Sequence, residues 1–167
     1  DLPQGEREYD AFKPEDVNEL IIRGHQKILE DMFLKREKYQ NENIMPVTVP
    51  LVPSFRMTRR LSGAYTLDEK EVFKKFDDCV GRTGDWRNRG PVFEIPLRTL
   101  YGNKITNLFT AGRCISVTDD MWDITRVIPT CAVTGEASGV AAALCSAENI
   151  KSCDLKAKNV RKYLDLR

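Results

Sequence analysis

The stretch Val127–Ala147 constrains this chain more than any other. It is apolar and crowded with small residues, among them Ala132, Gly135, Ala137, Gly139 and Ala141 to Ala143. Pro129 stands where a first helical turn would begin, and proline is accepted there because that N–H has no intrahelical partner. The pattern predicts a helix over 127–147. Being apolar on most faces, it is expected to be buried, and its small side chains allow another backbone to approach closely. Just before it, Asn107–Gly112 reads as a short buried strand ending on a glycine, followed by a polar, irregular segment from Arg113 to Arg126. Ligands of open α/β sheets bind beyond the carboxyl ends of strands. A helix N-terminus presents unpaired N–H groups and a partial positive charge. Gly112 and the Pro129–Thr130 turn therefore mark a place that favours an anion, bracketed by Arg113 and Arg126. An ordinary βα unit, with glycine making a tight turn, fits the same pattern.

The rest of the chain supplies shorter elements. Residues 1–13, with Pro3 and Gly5, read as an irregular lead-in. Pro14, with Glu15 and Asp16 behind it, opens a helix that runs to about Tyr39 on the period of Val17, Leu20, Ile21, Ile28, Met32 and Phe33. Alternation from Val47 through Phe55 to Arg60 reads as extended, and Pro50 and Pro53 make it an edge or interrupted strand. Ala64–Thr66 reads as a strand, Asp68 as the cap of a short helix over 69–75, and residues 77–91, with Gly81, Gly84 and Gly90, as a loop. Phe93–Leu97 reads as a strand. A final amphipathic helix carries Leu155, Val160 and Tyr163.

Composition narrows the function. Lys and Arg number 26 against 25 Asp and Glu, for a net charge of +1, so the broad basic face expected of a nucleic-acid binder is not indicated. The longest uninterrupted apolar run, Val140–Cys145, falls far short of the ~20 residues of a membrane span. Five cysteines, an odd number without CxxC spacing, argue against zinc and for free structural thiols. No metal ligand set is expected. His25, the one histidine, lies among charges in the first helix and reads as a surface or packing residue.

Four segments then carry a resemblance. Asn107–Ser116 (NLFTAGRCIS) and Arg126–Leu144 (RVIPTCAVTGEASGVAAAL) resemble the NLLVAGRCIS and RVMPTCMALGQAAGVAAAL segments of FAD-dependent oxidoreductases with the glutathione-reductase-type flavin fold. Arg56–Leu67 (RMTRRLSGAYTL) and Phe93–Arg98 (FEIPLR) are similar to that family's RETRRIxGxYxL and YDIPYR segments. They stand in the family's order and cover roughly residues 50–147.

The resemblance implies a mixed α/β (α+β) fold forming the C-terminal portion of a two-domain flavoprotein. On that reading residues 1–104 belong to the substrate or cap region. Residues 105–150 give the last strand and helix of the FAD-binding domain, and 151–167 a helical tail. It implies cofactor contacts from Gly112, Arg113, Arg126, Pro129 and Thr130, substrate contacts from Arg59, Arg60 and Arg98, and hydride transfer from a small organic substrate to the flavin. Three departures matter. Thr83–Arg89 lacks the histidine that family members often carry there, and Val117–Asp123 lacks the His and Gly often found after the NLFTAGRCIS segment, leaving Asp119, Asp120 and Asp123 as replacement candidates for acid/base work and no catalytic residue assigned. The chain also contains no GxGxxG, the turn that holds a dinucleotide pyrophosphate. The implied partner is therefore an N-terminal FAD-binding segment of the same protein, and this chain alone is expected to be inactive and to lack FAD. A non-catalytic binding or scaffolding module retaining the sub-fold is the alternative.

Overall fold

The computed structural model describes residues 7–52 and 57–165; the lead-in positions Pro3 and Gly5, and Pro53, Phe55 and Arg56 of the expected extended segment, lie outside them. The chain divides into two compact units, Asp1–Thr58 and Arg59–Arg167.

The first unit is organised by α1, Pro14–Lys38, with proline at its start, Glu15 and Asp16 in the first turn and Lys35, Arg36 and Lys38 in the last. These charges complement the helix dipole at both ends. The segment after it turns back along the helix. Arg36 Nε donates to the Ile44 carbonyl at 2.9 Å and His25 Nε2 to that of Pro50 at 2.7 Å. The strand expected from Val47 to Leu51 does not form. Proline removes the ladder donor, and the carbonyls are used by side chains of α1 instead. No α1 residue is fully buried.

The second unit holds the core. β1, Cys79–Gly84, pairs antiparallel with β2, Val92–Pro96. β1 corrects the expectation of a loop over 77–91. Its glycines suggested a break, but Gly81 is there because Val133 packs where a side chain would be: a Cβ at Gly81 would sit 2.1 Å from Val133 Cγ1. β2 is buried on both faces from Phe93 to Pro96. Burying a side chain such as Phe93 stabilises by roughly 1.5–3 kcal/mol. The inward Glu94 is tolerated because Phe76 N–H, Lys75 and Arg82 all reach its carboxylate.

Around this hairpin the chain laces back and forth. Leu61 N–H donates to Cys114, Ala64 to Tyr101, Tyr65 to Arg98 and Leu67 to Ser116, each through the partner's carbonyl. The expected strand at 64–66 does not form, and the ladder contact next to it is a single parallel bridge, Leu67 with Val117. The helix expected over 69–75 is a turn. Asp68 Oδ1 accepts from Lys70 N–H, but Phe73 has φ 58° and donates to the Val92 carbonyl, which stops helical propagation. The strand expected at Leu108–Ala111 reduces to one bridge, Tyr101 with Phe109. Conversely, Arg113–Arg126 is not irregular throughout. Thr118 caps α2, Asp119–Thr125, with Asp119 and Asp120 in its first turn, the N-cap pattern of a hydroxyl followed by acids.

α3, Ile128–Glu148, matches the expected 127–147 helix and ends on Asn149 in the left-handed conformation. Its burial differs from expectation. Only the stripe Thr130, Thr134, Ala137, Ser138 and Ala141 is fully buried, and Ile128 is exposed. The helix is long and apolar enough to cross a membrane by length and composition. Its buried stripe is largely hydroxyl-bearing, however, and bonded to the rest of the unit. The tail is shorter than expected: α4 is the single turn Ala157–Val160, continued by a 3-10 turn to Tyr163. Leu155 and Val160 are buried, but Tyr163 is exposed.

Candidate functional site

The stripe of α3 builds the site. Thr130, Thr134 and Ser138 recur every fourth residue, so their hydroxyls line one face. Thr130 Oγ1 lies 2.7 Å from Thr83 Oγ1 on β1. Thr134 Oγ1 accepts from Gly112 N–H at 2.9 Å, and Ser138 Oγ donates to the Thr110 carbonyl at 2.7 Å. These bonds clamp the turn at 110–112 against the helix. Gly112 has φ +68°, a conformation suited to glycine, and a Cβ there would lie 3.4 Å from Cys131 Sγ. Burial pushes the Cys131 thiol up, with Arg113 pulling the other way.

The N-terminus of α3 opens beside this turn. Val127 provides no side-chain cap, and the first turn carries no acid. Pro129 has no N–H and Cys131 N–H is taken by the Val127 carbonyl. The backbone N–H groups of Ile128 and Thr130 therefore have no intrahelical acceptor. Ile128 and Pro129 are exposed, while the Thr130 side chain is buried and engaged with Thr83. Thr130 as a whole is buried, so the accessible backbone at this end of the helix is that of Ile128 and Pro129.

Two tryptophans, not anticipated from the sequence, organise the arginines. Trp122, buried on α2, donates its Nε1–H to the Arg113 carbonyl at 2.9 Å. The Arg113 and Arg126 guanidiniums lie 5.7 and 5.3 Å from its ring centroid. Trp86, in the β1–β2 loop, donates to the Asp123 carbonyl at 2.9 Å, and Arg126 is 5.8 Å from its ring. All three distances suit cation–π attraction. Asp123 serves two guanidiniums, Arg126 at 2.8 Å and Arg87 at 3.3 Å. Arg87 also holds Asp85, whose carboxyl its hydrogen bonds lower to about 2. Asp119 and Asp120 are exposed in the first turn of α2.

The structure thus brings Gly112, Arg113, Arg126, Pro129 and Thr130 into one region through Trp122 and the hydroxyl stripe. Arg59 and Arg60 are exposed just before Leu61, whose N–H donates to the Cys114 carbonyl, next to the Gly112 turn. Arg98 is engaged elsewhere. It forms a two-point pair with Asp78 at 2.9 and 3.1 Å and stacks 4.9 Å from the Tyr65 ring. Hydroxyls at 130, 134 and 138 were visible as a pattern in the sequence, but which strand they faced was not. All five cysteines are free thiols, and among the described residues no group of three or more His, Cys, Asp or Glu side chains is placed to hold a metal.

The start of α3 thus offers uncapped N–H groups and no acid in its first turn, with Arg113 nearby and Arg126 held by Asp123 at 2.8 Å. A family model described as FAD dependent oxidoreductase matches residues 2–164. No curated protein and no solved structure matches the chain. Since the match spans nearly the entire sequence, the chain belongs to the FAD dependent oxidoreductase family.

Proposed function

We propose that the open end of α3 forms one edge of a flavin site. The backbone at Gly112 and at Pro129–Thr130, with Arg113 and Arg126 flanking, would lie against the isoalloxazine and ribityl part of FAD. FAD, when bound, would accept a hydride from a small organic substrate. Arg59, Arg60 and Arg98 are proposed on the substrate side, Arg98 only if it exchanges Asp78 for substrate. With no GxGxxG in these 167 residues, the dinucleotide pyrophosphate would be held by an N-terminal FAD-binding segment of the same protein, and the chain by itself would bind no FAD.

The observation that carries this reading is the uncapped, acid-free start of α3 beside the Gly112 turn. A helix start of this kind would stabilise negative charge on a reduced flavin by about 0.3–1 kcal/mol, more when partly buried. The test uses the full-length flavoprotein and its Arg126→Ala variant. Removing the guanidinium also leaves Asp123 with one cation fewer, so both effects make reduction harder. The midpoint potential should move negative. A positive shift, or none, removes Arg126 from the site. Full-length protein purified without flavin that takes up none on addition would contradict the reading as a whole and favour a binding module.

A further inference from the structure

At the tail of the second unit lies a cleft of about 650 Å³ that shares no residue with the Gly112–α3 end and, of the residues proposed for substrate, is lined by Arg98 alone. Its floor is apolar, from Phe76, Leu97, Tyr101 and Leu155, and its rim is charged. On the rim, Lys75 is paired with Glu94 and Arg98 with Asp78. Asp77 and Asp78 also line it, and the Arg161 guanidinium donates to the backbone carbonyls of Asp77 and Cys79 at 3.0 and 2.9 Å. Lys156, Lys158 and Arg161 remain without a carboxylate partner among the described residues, so the lining keeps a surplus of positive charge. Tyr101 lies in this cleft and is only 7% exposed. Its hydroxyl has no protein partner among the described residues and, unlike those of Tyr9 and Ser152, is not sealed from solvent, so it is open to a ligand in the cleft. Burial and the neighbouring Asp78 carboxylate push the phenol up, so it stays protonated and is a donor.

We infer that this cleft binds a small organic phosphate. Its volume falls within the roughly 300–1,000 Å³ of small-molecule sites, too roomy for inorganic phosphate alone. The apolar floor takes the organic body. Tyr101 donates to the phosphate from below, and Lys156, Lys158 and Arg161 meet its charge at the rim. Several unpaired cations suit a dianionic phosphate better than a single carboxylate.

The experiment is calorimetric titration of the 167-residue chain with phenyl phosphate, inorganic phosphate and benzoate. Phenyl phosphate should bind saturably and at least about tenfold more tightly than either of the others, the worth of one charge-assisted hydrogen bond. Lys156 and Lys158 are exposed, so the double variant Lys156→Glu/Lys158→Glu should fold and lose affinity by about tenfold or more. Tyr101→Phe keeps the packing and should cost about two- to tenfold. Inorganic phosphate binding as well as phenyl phosphate, or the lysine variant binding unchanged, would overturn the inference. FAD displacing phenyl phosphate would also overturn it, by giving the cleft to the cofactor.

Discussion

Gly81→Ala is the most demanding test of how β1 meets α3. An alanine Cβ at position 81 would stand 2.1 Å from Val133 Cγ1, more than an ångström inside the 3.4–4 Å of ordinary contact. The obstructing atom is the end of a branched side chain with few alternative rotamers in a helix. Either the strand or α3 must shift, and the nearby Thr83–Thr130 bond resists both movements. Overpacking of this kind costs about 1–3 kcal/mol. At about 2–4 °C per kcal/mol in a chain of this size, Tm falls by several degrees. The assay is a double-mutant cycle in thermal and urea unfolding with Val133→Ala, which removes the obstructing methyl. Val133→Ala alone should destabilise through lost packing, yet it should relieve most of the cost of Gly81→Ala, giving a coupling of about 1 kcal/mol or more. Additive effects of the two changes would refute the packing of Gly81 against Val133.

Three further outcomes follow from the geometry. Thr130→Val should destabilise by about 1 kcal/mol because it removes the shorter bond of the buried Thr83 hydroxyl and leaves only its 3.3 Å bond to the Gly84 carbonyl, whereas Thr83→Val/Thr130→Val together should be nearly neutral; urea unfolding of both variants checks this. Burial by itself would raise Glu94, but Phe76 N–H, Lys75 and Arg82 outweigh it and hold the carboxyl at about 2. A lowered carboxyl contributes stability that is complete above its ordinary value of ~4.3 and is lost as pH falls toward the folded value. Stability should therefore drop between pH of about 4.5 and about 2, and Glu94→Gln should flatten that part of the pH profile in chemical unfolding. Under native alkylation without reductant, the exposed Cys114 and Cys153 should react first and Cys79, Cys131 and Cys145, which burial pushes up, more slowly; mass spectrometry after denaturation should find all five labelled, and a protected pair would contradict the free thiols.

The sequence by itself determined those features that depend on neighbours along the chain. Pro14 with Glu15 and Asp16 marked the start of α1, and Pro129 with its run of small residues marked α3, because helix initiation is decided within one turn. The family was legible too, since the segments Asn107–Ser116 and Arg126–Leu144 carry it in order. Tertiary structure decided what depends on distant partners. Gly81 and Gly84 read locally as a loop, yet they belong to β1, because a strand is completed by β2 and tolerated by Val133 across from it. Leu108–Ala111 read locally as a strand, yet it finds only one bridge among the described residues, and strand propensity without a neighbouring ladder yields no strand. The same distinction governs the site. Arg113, Arg126 and Gly112 could be singled out by type and position, but their convergence depends on Trp122, Trp86 and the Thr130–Thr134–Ser138 face. Arg98, alike in type, was drawn away by Asp78, twenty residues earlier. Side-chain charge is written in the sequence, but which counter-charge lies within reach is set by how the chain folds back on itself.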